Sequence, residues 1–285
     1  VRTSRLPALA LLAALALAGC GGGGGSGRGQ RDANSDPGTS TAPPASTTGA
    51  TGAATAPPAT PPSAQTRTAV AYLLRDGKVA PVTRQVPHTQ GVAAAALRAL
   101  LQGPTAAERA AGLSSALPAG TALREVSLAG GVATVQLDAA GHPLDRSAVA
   151  QVVYTATSFP TVQRVALRLG DDAPQRTLGR ADLEDLTPSI LVETPLPGDL
   201  VPSPLQVSGT ANTFEATFVV EVLDAGGRSL GKQTVTATSG SGTRGTFAVS
   251  VPFQARAGAI VLRAYEPSAE DGRPLHEVRI PLRAG

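Results

Sequence analysis

A chain of 285 residues leaves room for two modest domains. Its formal charge of +3 is a small surplus, and three tyrosines, five phenylalanines and no tryptophan offer little stacking surface, so composition argues against nucleic-acid binding. A single cysteine excludes an internal disulfide and any multi-cysteine metal site.

The chain opens at Val1 and contains no methionine. This is expected of a whole, unprocessed product begun at a non-standard start codon and written out literally. Arg2 and Arg5 form a basic start, residues 6–18 are apolar apart from Pro7, and Leu17-Ala18-Gly19-Cys20 follows. The apolar run is too short to cross a hydrocarbon core of ~30 Å as a helix, so residues 1–19 are read as a signal peptide. The last four residues match a lipobox. Small Ala18 and Gly19 let the peptidase reach the backbone, and the Cys20 thiol is the nucleophile that accepts diacylglycerol before cleavage between Gly19 and Cys20. The expected product is lipid-anchored to the extracytoplasmic face of the cell membrane, because two or more acyl chains, at ~0.8 kcal/mol per buried CH₂, hold stably. Without Arg2 and Arg5 the mature chain keeps 22 basic against 21 acidic residues, close to neutral.

Residues 20–66 begin with the lipidated cysteine and continue as a glycine run, then Thr, Ser, Ala and Pro without apolar periodicity. Such a segment cannot bury enough surface to offset its ordering entropy, and it is expected to be a disordered linker with an r.m.s. span of about 40 Å. Serine and threonine next to proline also fit an O-glycosylated stalk.

Residues 67–187 read as a first folded domain. Val70, Tyr72 and Leu74 alternate, Asp76-Gly77 signals a hairpin, and 79–86 is the return strand. Thr89 is placed to cap a helix over 91–102 with Val92, Ala93, Ala96, Leu97, Leu100 and Leu101 on one stripe, stopped by Gly103-Pro104. Thr105 and Glu108 form a capping box for a short second helix. Strands follow over 123–128 and 132–139 around Ala129-Gly130-Gly131, with Ala133, Val135 and Leu137 inward. Asp145 caps a helix carrying Val149, Val152, Val153 and Ala156, which Phe159-Pro160 ends, and Val165, Leu167 and Leu169 mark a further strand. The sum is an α+β domain with two helices on one face of a mostly antiparallel sheet.

At Leu100-Leu101-Gln102-Gly103-Pro104-Thr105, Val132-Ala133-Thr134-Val135, and Val153-Tyr154-Thr155 with Phe159-Pro160, the chain resembles the GerMN domain. That domain occurs in spore-germination lipoproteins and in actinobacterial lipoproteins that accompany sensor kinases, and is similar to ring-building folds of secretion-like assemblies. The resemblance implies partner binding and no known catalysis.

Residues 188–285 read as a second domain. Prolines at 195, 197, 202 and 204 punctuate its entry, and about seven short strands recur over 189–193, 205–210, 215–223, 229–238, 244–251, 258–266 and 275–283. Turns at Ala225-Gly226-Gly227, 239–242 and Asp271-Gly272 separate them. The pattern is that of an all-β immunoglobulin-like sandwich without the disulfide. Residues 208–216, with Tyr265-Glu266 and Asp271-Gly272, resemble the immunoglobulin-like domain that often follows GerMN in bacterial lipoproteins. Few apolar residues lie between Arg180 and Ser189, which predicts a small, mobile contact between independently folding domains.

The chemistry-bearing residues are sparse. His88, His142 and His276 lie far apart with no metal-ligand spacing, and no GxSxG elbow supports a catalytic serine, so no catalytic residue, metal site or cofactor is expected. Asp171-Asp172 reads as a hairpin turn, and Asp182, in a cluster with Glu184 and Asp185, as the first turn of a short helix, in preference to a calcium loop. Asn212, Phe214 and Glu215 stand out as a candidate partner-binding or structural group. The Glu215 carboxylate is expected to be buried and to accept bonds from free backbone amides, and the alternative is a binding surface at the end of the sandwich. The functional expectation is a non-catalytic binding or scaffolding lipoprotein, spore-germination-protein-like. It would engage an envelope protein, such as a sensor kinase or assembly component, or a wall polymer, besides the membrane through Cys20. The alternative is a wall-associated hydrolase or an accessory to a peptidoglycan hydrolase, which requires a convergent polar site.

Overall fold

The alternation that begins at Ala69 becomes a hairpin of β1 (Thr66–Arg75) and β2 (Lys78–Pro87). The computed structural model describes residues 65–89, 91–173, 176–254 and 257–285. The signal peptide, Gly19, Cys20 and nearly all of the 20–66 linker lie outside these residues. Leu74 pairs with Val79 across Asp76 and Gly77, whose φ angles are +50° and +74°. A two-residue turn with both φ positive matches the twist of the strands, and Asp-Gly adopts it at little strain.

Helix α1 (Val92–Leu101) starts at Gly91 with no side-chain cap, so Thr89 does not serve it. Helix α2 (Ala106–Ala110) opens on the expected capping box. Glu108 donates its N–H to Thr105 Oγ1 and its carboxylate accepts the Thr105 N–H. A two-residue strand β3 (Leu113–Ser114) then pairs with the end of β1. Strands β4 (Ala122–Ala129) and β5 (Val132–Asp138) form the second hairpin. Helix α3 (Arg146–Ala156) is capped by Asp145, which accepts the Ala148 N–H at 2.7 Å. Strand β6 (Arg164–Leu169) runs parallel to β5.

The α+β class stands, but the strands divide into two three-stranded sheets, β2-β1-β3 and β4-β5-β6. The parallel β5–β6 pair follows from α3, which carries the chain back across the sheet as a crossover connection. The helix is not a one-sided stripe either: eight of its 11 residues are buried. It packs against α1, β1 and β6, and β1 is buried on both faces, at Ala71 and Leu73 as well as Tyr72 and Leu74. Two polar residues of α3 complete β1. Beyond short β3, the Tyr72 N–H donates to Thr155 Oγ1 at 3.0 Å, and the Tyr72 carbonyl accepts from Gln151 Nε2 at 3.1 Å. Side chains one helical turn apart thus cover a sheet edge that would otherwise be buried unpaired.

A 3-10 turn (Arg180–Leu186) leads to the second domain. Its strands are β7 (Ile190–Thr194), β8 (Leu200–Val201), β9 (Leu205–Ala211), β10 (Thr217–Asp224), β11 (Ser229–Thr236), β12 (Gly245–Val251), β13 (Gly258–Pro267) and β14 (Pro274–Ala284). Two sheets, β12-β9-β7 and β11-β10-β13-β14-β8, enclose a core that includes Phe218, Val220, Phe247, Ile260 and Leu262. Phe218 and Phe247 meet edge-on with centroids 4.9 Å apart.

Strand β7 belongs to both domains. Ile190 and Val192 enter the sandwich core, while Leu191, on the opposite face, enters the core of the first domain. Leu183 in the 3-10 turn is fully buried there too. The contact expected to be small therefore has an apolar centre. The alternation of a strand that looks merely hydrophobic in sequence serves two cores at once.

Candidate functional site

The junction between the domains is built around Glu193. A bulge in the β7–β9 pairing between Val192 and Thr194 frees this residue from the ladder, and bulges re-aim side chains in this way. Its carboxylate accepts from the Tyr72 hydroxyl at 2.5 Å and from Arg180 at 2.6 Å. The Arg180 guanidinium also donates to Thr157 Oγ1 at 2.8 Å and lies 4.7 Å from the Tyr154 ring centroid. The Tyr154 hydroxyl shares a 2.5 Å hydrogen bond with Thr187. Burial, with the Glu193 carboxylate beside it, pushes the Tyr72 hydroxyl far above the usual phenol range, so it serves as a neutral donor. Across the ladder, a Cβ on Gly209 would stand 2.0 Å from the Leu191 carbonyl oxygen, so β9 passes this strand only with glycine there.

A second clamp is made by Glu184. Arg244 donates to its two carboxylate oxygens at 2.8 and 2.9 Å and to the Pro188 carbonyl at 2.8 Å, and Asn212 Nδ2 donates to it at 2.9 Å. Burial acts to raise the Glu184 carboxyl, but the Arg244 and Asn212 bonds outweigh it and hold the group below the usual carboxylate range.

Beside this junction lies a cleft of about 670 Å³. The β1–β2 turn supplies Arg75, Asp76 and Lys78, β7 supplies 190–192, and β14 supplies 276–280. Its walls are apolar at the half-buried Ala80, Pro81 and Val278, and no Phe, Tyr or Trp lines it. His276 sits at its rim with φ +52°. With Glu277 it forms the two-residue side of a bulge opposite Tyr265, since Ala264 pairs with Val278 and Glu266 with Leu275.

Residues 70–173 match the family described as sporulation and spore germination, and residues 189–273 match the immunoglobulin-like domain of bacterial spore germination. The chain carries a GerMN domain followed by a Gmad2 immunoglobulin-like domain. Among solved structures, the first GerMN domain of the Bacillus subtilis sporulation protein GerM is 24% identical, covering 41% of this chain and 99% of that one at a TM-score of 0.35. The tandem GerMN domains of the same protein are 17% identical, covering 77% of this chain and 61% of that one at 0.37. A Clostridium perfringens protein described as a lipoprotein is 16% identical, covering 43% of this chain and 92% of that one at 0.30. No curated protein matches.

Of the candidate residues in the Gmad2 domain, Asn212 belongs to the Glu184 clamp, and its Oδ1 accepts the Gly242 N–H at 2.9 Å. Phe214 is 64% exposed. Glu215 departs from the expectation. It is exposed, at φ +53°, and among the described residues nothing hydrogen-bonds to its carboxylate. The carboxylate that accepts a backbone amide here is Glu266, bonded to the Phe214 N–H at 2.9 Å. The short 3-10 turn (Phe214–Ala216) rotates Glu215 outward before β10 begins, and this geometry has no signature in residue type. Asp182 does sit in the first turn of the 3-10 segment, accepting the Gly179 N–H at 2.8 Å. All three histidines are exposed, and among the described residues no group of His, Cys, Asp or Glu is placed to hold a metal. Nor is any described helix long and apolar enough to cross a membrane.

Sequence reasoning missed Tyr72, Arg180, Glu193 and Arg244. Tyr72 and Glu193 lay in recognisable strands, but a strand pattern does not say that its polar member meets an arginine 13 residues upstream of Glu193. The one available signal was an acid in the otherwise apolar run Ile190-Leu191-Val192-Glu193.

Proposed function

We propose that this GerMN–Gmad2 protein is a lipid-anchored, non-catalytic binding or scaffolding component on the extracytoplasmic face of the cell membrane. It presents its two domains as one unit to an envelope protein, such as a sensor kinase or assembly component, or to a wall polymer. The observation that carries the reading is the use of the polar groups at the junction, of which Tyr72 is buried and the others half-buried. Tyr72, Arg180, Glu193, Glu184 and Arg244 spend their hydrogen bonds on one another across the junction, which fixes relative domain position and leaves them no role on a substrate. The anchor rests on Leu17-Ala18-Gly19-Cys20.

Cys20→Ala should block acylation and processing, and the protein should leave the detergent phase in phase partitioning. A variant that partitions and is processed like wild type would remove the anchor from the proposal. Crosslinking in living cells followed by mass spectrometry should recover a reproducible envelope partner, and recovery of none would remove the scaffold.

A further inference from the structure

The cleft beside the junction is edged by strands rather than faced by them. Five consecutive residues of β14, 276–280, line it, and so do Ile190, Leu191 and Val192 of β7. Successive side chains of a strand point to opposite faces, so a surface touched by every residue in a run follows the strand's edge. Both strands have an open edge. β7 ends its sheet, and among the described residues β14 is covered from Pro281 onward, by Gly198, Asp199 and β8.

The parity of the open β14 edge is readable. The Arg283 N–H donates outward to the Asp199 carbonyl, and the Pro281 carbonyl accepts outward from Gly198. Odd-numbered residues therefore face away from β13, and Arg279 is the next in that series. Among the described residues, neither its outward N–H nor its carbonyl has a partner. An unpaired donor and acceptor beside an apolar wall is the arrangement that an added strand completes. The lining holds no Phe, Tyr or Trp, the side chains on which sugar rings usually stack.

We infer that this cleft binds an extended polypeptide, added as a strand along β14 at Arg279, with an apolar side chain against the half-buried Pro81 and Val278 and an acidic one at Arg75. The inference rests on the binding reading above and specifies its site and its class of partner. The charge requirement comes from the rim, where Arg75, Lys78 and Arg279 face Asp76 and Glu277. Glu277 is already shared by Arg263 and Arg279, and Lys78 donates to the Asp185 carbonyl. Arg75 has no ion pair among the described residues. His276, held at its bulge 3.9 Å from Glu266, adds a donor at the same rim.

The test uses the full mature chain and random linear peptides displayed on phage. Enriched peptides should carry an acid next to alternating apolar residues. A resynthesised hit should bind at least about tenfold more weakly when its alternate backbone nitrogens are methylated, and similarly to Arg75→Glu and Arg279→Pro. If Arg279→Pro fails to fold, the Arg75→Glu and methylated-peptide arms still decide. Failure to enrich, or hits that bind Arg75→Glu and tolerate methylation, would overturn the inference, as would occupation of the cleft by soluble wall glycan. A photocrosslinker in cells at Val278 and, separately, at Phe214 distinguishes the two levels. Adducts at Phe214 alone would leave the scaffold standing and remove this site, and adducts at neither would remove both.

Discussion

Gln151 shows how much one buried amide can do. In the middle of α3, at 0% exposure, its Oε1 accepts the Ala116 N–H at 2.8 Å and its Nε2 donates to the Tyr72 carbonyl. Gln151→Leu conserves volume and helix propensity but orphans both backbone groups, so urea unfolding should show a loss of about 1–3 kcal/mol. Glu215 is the opposite case. Its side chain is exposed and its φ of +53° lies where side chains are strained. Glu215→Ala should leave the melting temperature nearly unchanged, within about 0.5 kcal/mol, and Glu215→Gly should raise stability by up to about 1 kcal/mol. A large loss in Glu215→Ala would restore the buried carboxylate expected from sequence. Both residues read alike as polar side chains beside apolar ones, and their difference lies in a partner 79 positions away for Gln151 and in a local 3-10 turn for Glu215.

Among the elements, the 3-10 turn works as a hinge pin. It buries Leu183 in the first domain and presents Glu184 to Arg244 and Asn212 of the second. The Glu184 carboxyl is lowered from its ordinary value of 4.5. A depressed folded-state value means that its contribution is fully present above the unfolded value and is lost as pH falls through the folded one. Glu184→Gln should therefore be less stable than wild type at neutral pH, by on the order of 1 kcal/mol given partial solvent screening. The gap should close as pH drops below about 4.5, where wild type loses the same charge. A difference that stays constant down to strongly acid pH would show that the carboxylate charge is not what holds the clamp. The capping box at Thr105 and Glu108, the Asp145 cap and the Asp76-Gly77 turn were legible beforehand because their partners lie within a few residues. The bulge at Glu193 was not, because it exists only in the register of β7 against β9.

For the whole molecule, the shared strand sets the expected cooperativity. Separating the domains would uncover Leu191, free Glu193 from Tyr72 and Arg180, and separate Glu184 from Arg244. Thermal unfolding of the described portion should be one calorimetric transition in place of two, and residues 188–285 alone should be markedly less stable than within the chain. Thr187 is 4% exposed and bonded to Tyr154 and Leu183, so limited proteolysis should spare the Thr187-Pro188 region until global unfolding. Two resolved transitions, or early cleavage there, would return the domains to independence.

What the sequence by itself determined is local: the hairpin at Asp76-Gly77, the capping box at Thr105 and Glu108, the Asp145 cap, and the alternating strands of the sandwich. Each depends on dihedral preferences and on hydrogen bonds a few residues long. The succession of a GerMN-like and an immunoglobulin-like domain was legible too, through short spaced motifs. Only the tertiary structure decided that β6 lies parallel to β5, that α3 is buried nearly all round, that β7 serves two cores, and that its edge and that of β14 border one cleft. Those outcomes depend on which distant surfaces meet, and an apolar residue pattern is the same whichever partner buries it.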